Sequence, residues 1–295
     1  EFRRVLFRSK AAGFTSMDCC AIIRRLAGEK AGHTGTLDPN ASGVLPVCIG
    51  RATRLIEYMD YGSKTYIAKA KLGITTDSED IWGNVTENPF SKDGPIGRIT
   101  EEELRCALMS FKGDITQVPP MYSAIKVGGQ RLYKLARSGQ SIERKPRKIT
   151  VFNIRLLEFD YENQEFSFET ECSRGTYIRS LCRDIGESLK TGAVMTALER
   201  TRCCGYDIKD AVDIRDLKEG RAKLEPRPLE SAVSELKSIE INDKSAVLFL
   251  NGNPLWAETG GSFLPEISGE EPVAVFEKER LLGICKDGKI AKVLK

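Results

Sequence analysis

The residues best suited to chemistry crowd into one stretch, GHTGTLDPNASGVLPVCIGRATRL at 32–55, which holds the sole histidine, His33, five residues before Asp38. A single imidazole excludes the two-histidine H-E-x-x-H zinc motif, and it leaves His33 as the one possible base for a Ser-His-Asp or Cys-His site. No Walker or dinucleotide-type glycine pattern occurs, so ATP- or NAD-driven chemistry is disfavoured. Locally, Asp38 reads equally well in two ways. Asp-Pro-Asn-Ala is a good type I turn with aspartate at its first position, and the same turn could present a rigid reactive carboxylate. Gly32, Gly35 and Gly43 suit tight turns or close packing. His33 taken alone reads first as a structural residue.

Arg179 is the second position of interest. If Thr176 caps the helix that follows, this cation sits in the first turn, where the macrodipole disfavours it by roughly 0.3–1 kcal/mol. A nearby carboxylate or phosphate would offset that; a solvated arginine opposite the Ile178 stripe is the equal alternative. Tyr66 faces inward on its strand and reads by default as a core tyrosine. Between Lys126 and Lys148 eight basic residues stand against the single Glu143, a local excess of +7. That segment is a candidate contact for a polyanion, although the whole chain carries only +3.

The elements that must position these residues follow from periodicity and caps. Ser16 is a fitting cap for a helix in which Cys19, Ile22, Ile23 and Leu26 recur at helical spacing. Alternation in KTYIAKAKLG (64–73) puts Tyr66, Ala68, Ala70 and Leu72 on one strand face. Thr100 and Glu103 form a capping box ahead of Leu104, Leu108 and Phe111, and Gly113 stops that helix. TVFNIRLLEF and QEFSFETECS predict a strand pair, and Ile178, Leu181, Cys182 and Ile185 predict an amphipathic helix. Near residue 237 the texture shifts to short apolar runs separated by turns, with Asp287-Gly288 as a hairpin signal. A small β-rich domain is expected over 238–295.

Length and composition bound the rest. The 295 residues, 41% hydrophobic and 29% charged, suit a globular chain of two units with no bilayer-length apolar run. Nine cysteines include the adjacent pairs Cys19-Cys20 and Cys203-Cys204 and no C-x-x-C. A disulfide framework or zinc site is disfavoured, and a reducing cytoplasm fits best. EFRRVLFRS (1–9) matches nothing that follows and reads as a cloning or translated-adaptor scar outside the fold.

GHTGTLDPNASGVLPV closely resembles the signature loop of the bacterial tRNA pseudouridine synthase family called TruB, which modifies the uridine at position 55 in the T loop of tRNA. The resemblance runs from Lys10 to the C-terminus. KAAGFTS (10–16) is similar to the family's K-P-x-G-x-T-S, KTYIAKAKLGITTDSEDIWG to its tyrosine strand and acidic turn, and PPMYSAIKVGGQRLYKLAR to its next block. CSRGTYIRSL and ALERTRCCGY resemble the last two. Ala11 stands where the family usually has proline, and the scar-like segment replaces the strand expected ahead of Lys10.

The resemblance implies an α+β fold: a mixed, largely antiparallel central sheet flanked by helices, the pseudouridine synthase fold. A catalytic domain would span 10–237 with a thumb-like insertion at about 114–148, and 238–295 would form a PUA-like RNA-binding domain. It further implies that Asp38 is the catalytic nucleophile, that Arg179 pairs with its carboxylate and that Tyr66 lies against the target base. His33 would help hold the T loop with the uridine flipped out. Tyr177 and Leu198 would line the uracil pocket, and Asp80 would belong to an RNA-contacting turn. The expected substrate is the tRNA T stem-loop, bound by a cytoplasmic monomer without membrane, metal or cofactor. The reaction is a redox-neutral isomerisation needing one carboxylate as covalent catalyst and a base extruded from its stack. Recognition would rest on loop shape and on salt-sensitive phosphate contacts from 126–148. The alternatives are a non-catalytic tRNA binder or folding chaperone on the same scaffold, and a synthase for another RNA. A carboxylate glycosidase would want a second acid, and the motif loop offers none.

Overall fold

The computed structural model describes residues 3–87, 98–140, 142–253 and 271–294. The chain packs as two compact units, Glu1–Gly62 with Arg202–Lys295, and Ser63–Thr201. In the first unit, pairing begins in the segment expected to lie outside the fold, which corrects that expectation. Arg3–Lys10 is a strand, β1. It runs antiparallel to Ser42–Gly50 (β3), with Arg3 opposite Gly50 and Lys10 opposite Gly43. The hydrogen bonds that make it a strand come from residues far along the chain, which no local pattern announces. Residues 1–2 of the scar-like segment lie outside the described residues.

Helix α1, Ser16–Ala27, follows β1. Its cap is Thr15, one residue before the expected Ser16, because Asp18 at the third helical position completes a capping box with Thr15. Cys19, Cys20 and Ile23 are buried, whereas Leu26 is 48% exposed, so the apolar stripe is shorter than its spacing suggested. Ala31–His33 (β2) then pairs antiparallel with β3, His33 opposite Val47.

The second unit is built on a sheet whose Lys64–Leu72 strand (β4) buries Tyr66, Ala68, Ala70 and Leu72, as alternation predicts. Glu101–Ser110 (α2) starts from the expected Thr100–Glu103 capping box and buries Leu104 and Leu108. It ends on Phe111, and Gly113 already opens the strand Gly113–Gln117 (β5). A small hairpin, Lys126–Val127 with Gln130–Arg131, and the short helix Leu132–Arg137 (α3) interrupt the chain before Arg147–Asp160 (β6). Glu165–Cys172 (β7), Ile178–Ser188 (α4) and the strand Ala193–Cys203 (β8), as far as Thr201, complete the unit. The strand order is β8-β4-β7-β6-β5, and the β4-β7, β7-β6 and β6-β5 pairs are antiparallel. Helices α2 and α4 pack on β6 and β4 respectively.

The C-terminal part of the first unit holds a four-stranded sheet: Lys237–Glu240 (β9), Val273–Glu277 (β10), Arg280–Lys286 (β11) and Lys289–Val293 (β12). Its strands neighbour in chain order, the first pair parallel and the others antiparallel. Asp287 and Gly288, both with positive φ, make the expected hairpin turn. Leu281 and Ile284 of this sheet join Val44, Cys48 and Leu55 in one apolar core. Residues 254–270 and 295 of the expected C-terminal domain lie outside the described residues. Among the described residues no helix is long and apolar enough to cross a membrane.

Candidate functional site

In the first unit the loop between β2 and β3 is fixed almost residue by residue. Thr34 donates its backbone N–H to Pro46 O at 3.1 Å. Gly35 takes φ +66°, and two residues later Leu37 is buried with its N–H and C=O both bonded to Ser16 Oγ, at 3.0 and 3.1 Å. The turn expected at Asp38 forms: Ala41 N–H donates to Asp38 O at 3.0 Å. Pro39 O also accepts from Gly13 N–H at 2.9 Å. Beneath the turn the fully buried Lys10 directs its ammonium to three carbonyls, Ala11 at 3.1 Å, Pro39 at 2.9 Å and Ala41 at 2.5 Å. The three N–H donors of a lysine are matched by three acceptors, the condition under which burying this charge is tolerated. Asp38 itself is half-buried at the rim, and His33 is half-buried on β2. The backbone that carries the Asp38 carboxylate is thereby held in place.

In the second unit Tyr66 is 7% exposed and sits opposite Thr170 of β7. Leu198 on β8, the neighbour of β4, is buried as well. Arg179 lies in the first turn of α4, as expected, and is 5% exposed. The N-cap is Tyr177, which makes no side-chain cap bond; Thr176 instead donates its hydroxyl to Ser173 O at 2.9 Å. The expected Thr176 cap is thereby corrected. The guanidinium of Arg179 donates to Ser78 O at 3.1 Å and to Tyr122 O at 2.9 Å. These two carbonyl oxygens help orient the guanidinium within the unit. Asp80 lies in the same turn as Ser78: its Oδ1 accepts from Ser78 Oγ at 2.6 Å and from Trp82 N–H at 3.2 Å. The structure thus gathers Arg179 and the Asp80 turn within one unit, with Tyr66 and Leu198 on adjacent strands of its sheet.

Two supporting residues escaped the sequence reading. Lys10 appeared there only as a motif letter, and no spacing announces three carbonyl acceptors. Gln117, at the end of β5, is 2% exposed and grips the peptide of Tyr177 from both sides: Tyr177 N–H donates to Gln117 Oε1 at 2.8 Å, and Gln117 Nε2 donates to Tyr177 O at 3.1 Å. A lone glutamine in a strand carries no pattern that would have found it. In the basic segment Lys126, Arg131, Lys134, Lys145, Arg147 and Lys148 are exposed, whereas Arg144 is half-buried. Among the described residues no group of three or more His, Cys, Asp or Glu side chains could hold a metal ion.

Comparison with known proteins identifies the family. Residues 24–178 match the TruB family pseudouridylate synthase N-terminal domain, and residues 179–238 match the tRNA pseudouridylate synthase B C-terminal domain. The tRNA pseudouridine synthase B of Clostridium tetani is 40% identical over 290 residues, covering 97% of each chain. That of Clostridium perfringens is 45% identical over 244 residues, 82% of this chain and 81% of its own. Among solved structures, an H/ACA ribonucleoprotein bound to a substrate RNA containing 2'-deoxyuridine matches at a TM-score of 0.69 and 25% identity, over 96% of this chain and 78% of that one. With its mixed, largely antiparallel fold and more than half of its length matched by one family domain, the chain belongs to the TruB family of pseudouridylate synthases, isomerases that modify tRNA.

Proposed function

We propose that this tRNA pseudouridine synthase acts on the uridine at position 55 of the T loop, with Asp38 as the nucleophile. In this reading Arg179 pairs with and orients the Asp38 carboxylate, and Tyr66 lies against the uracil ring. Tyr177 and Leu198 line the pocket, and His33 and Asp80 help hold the looped RNA. The glycosidic bond from N1 breaks, the uracil turns, and C5 bonds to the same sugar carbon. The C5 proton is released and N1, which carried none, takes up a proton, so composition and oxidation state are unchanged. The observation that carries the reading is the Lys10 ammonium at the Asp38 turn, which fixes the carbonyls of Pro39 and Ala41 in the residues directly after the acid. A reacting group gains most from such restraint, because a near-attack geometry is then settled before the substrate arrives. The exposed cations of 126–148 supply phosphate contacts, the C-terminal sheet serves as a PUA-like RNA-binding module, and the protein works as a cytoplasmic monomer.

Tritium release tests the proposal, because the product has the mass of the substrate. The protein should release tritium from a C5-labelled T-arm stem-loop, and Asp38→Asn should release none while binding the same RNA within about threefold. Full release by Asp38→Asn removes the nucleophile assignment. No release by the unaltered protein from the T arm, with release from another RNA, removes the assignment to position 55.

A further inference from the structure

Glu79 takes no part in the reaction as described, yet it sits at a junction. It is 8% exposed, and its φ of +64° is one that side-chain-bearing residues adopt only when their surroundings impose it. Its backbone is held on both sides: Glu79 N–H donates to Thr76 O at 3.3 Å, and Glu79 O accepts from Met195 N–H of β8 at 3.2 Å. One carboxylate oxygen accepts from Ser180 Oγ at 2.6 Å; the other accepts from Arg183 Nη1. Both partners lie on α4, Ser180 next to Arg179 and Arg183 one turn beyond it.

The same carboxylate reaches the insertion between β5 and β6. Arg144, near its far end, has Nη1 3.9 Å from Glu79 Oε1 and donates to Pro119 O at 3.0 Å. Arg183 donates to Val118 O at 3.2 Å. Both ends of the insertion therefore meet at Glu79 and its partners. Arg179 spans the same three segments with its own bonds to Ser78 in the turn and Tyr122 in the insertion. Glu79, Arg183, Arg144 and Tyr122 also share the wall of one cleft of about 990 Å³.

We infer that Glu79 is a positioning residue for pseudouridine formation: it ties helix α4 to the acidic turn and to the roots of the insertion, and so sets the orientation of Arg179. The inference rests on the role proposed for Arg179. A carboxylate suits the task because it accepts from a hydroxyl and a guanidinium at once, with charge-assisted strength on the second. Glu79→Gln keeps the shape and one good acceptor while removing the charge. Arg183 still has Asp184, at 2.6 Å, and Glu187, at 3.6 Å, so the variant is expected to fold.

The test is single-turnover tritium release at saturating protein, beside stem-loop binding and thermal unfolding. Glu79→Gln should slow the step at least tenfold, with stem-loop affinity within threefold of the unaltered protein. Combined with Arg179→Lys it should add nothing to the loss caused by Arg179→Lys alone, because both act through one guanidinium. A purely structural role predicts a smaller folded fraction with an unchanged rate per folded molecule, and losses that multiply in the double variant; either result overturns the inference. An unchanged rate for Glu79→Gln beside a dead Arg179→Met removes Glu79 only. Full activity in Arg179→Met removes the Arg179 reading and this inference with it.

Discussion

At the scale of single residues, the first consequence is that the reactive loop depends on a lysine that never needs to touch substrate. Lys10 lies wholly inside the first unit, and its ammonium is the described partner of the Ala41 carbonyl. Burying an ammonium is expensive, and the carbonyls it organises offset part of that cost. Replacing it by methionine keeps most of the volume and removes the donors. Ala41 O is then left in the interior without that bond, and each such buried acceptor costs about 1–3 kcal/mol. Lys10→Met should lower the unfolding free energy in urea by about that amount. It should also slow single-turnover tritium release in the protein that remains folded, since Pro39 O keeps only its bond from Gly13 N–H. Undiminished stability would mean that relief from desolvating the charge cancels the lost bonds.

At the scale of elements, the parts most plainly written in the sequence are those whose signal is local. The β4 alternation, the Thr100–Glu103 box, the apolar stripe of α4 and the Asp287-Gly288 turn each declare themselves within a few residues, and each forms. The motif loop was legible for another reason: its resemblance to a family loop covers sixteen consecutive positions, GHTGTLDPNASGVLPV. What escaped depends on partners far away. β1 becomes a strand through residues 42–50, and the grip on Tyr177 comes from Gln117, sixty residues back. The two cap errors, Ser16 for Thr15 and Thr176 for Tyr177, arise because neighbouring hydroxyls are equally good acceptors until the third helical residue or a tertiary bond decides. Gly186 in α4 belongs to the same hidden class. A Cβ built there would stand 2.2 Å from Ala193 N, against backbone that cannot yield like a side-chain tip. Gly186→Ala must therefore lift the helix bearing Arg179 from the start of β8. Its expected cost is about 1–3 kcal/mol, in the usual range for overpacking. Thermal unfolding should register that loss, and the tritium-release rate per folded molecule should fall as well, since Arg179 moves with its helix.

At the scale of the whole molecule, the nine thiols act together through burial. Eight are buried and Cys106 is exposed. Burial pushes Cys19, Cys172 and Cys285 from the ordinary 9.0 up to about 11, and Cys20 and Cys48 up to about 12. Burial raises Cys182 as well. Because these values rise on folding, the associated stability is fully present below pH 9.0, the unfolded value. As pH climbs from there toward 11 or 12, the unfolded chain gives up protons that the folded chain still holds. Stability then declines by about 1.4 kcal/mol per pH unit for each such thiol. Urea midpoints should be flat through neutral pH and fall steeply above pH 9, and replacing Cys20 and Cys48 by alanine should make that fall shallower. The same burial governs reactivity, since only the thiolate is a nucleophile. Iodoacetamide at about pH 8 should therefore add one carboxamidomethyl group to the native protein, at Cys106, and nine after unfolding in urea, as read from the intact mass. Rapid native labelling at Cys48 or Cys203 would mean that the core joining β3 to the C-terminal sheet opens far more readily than its packing allows.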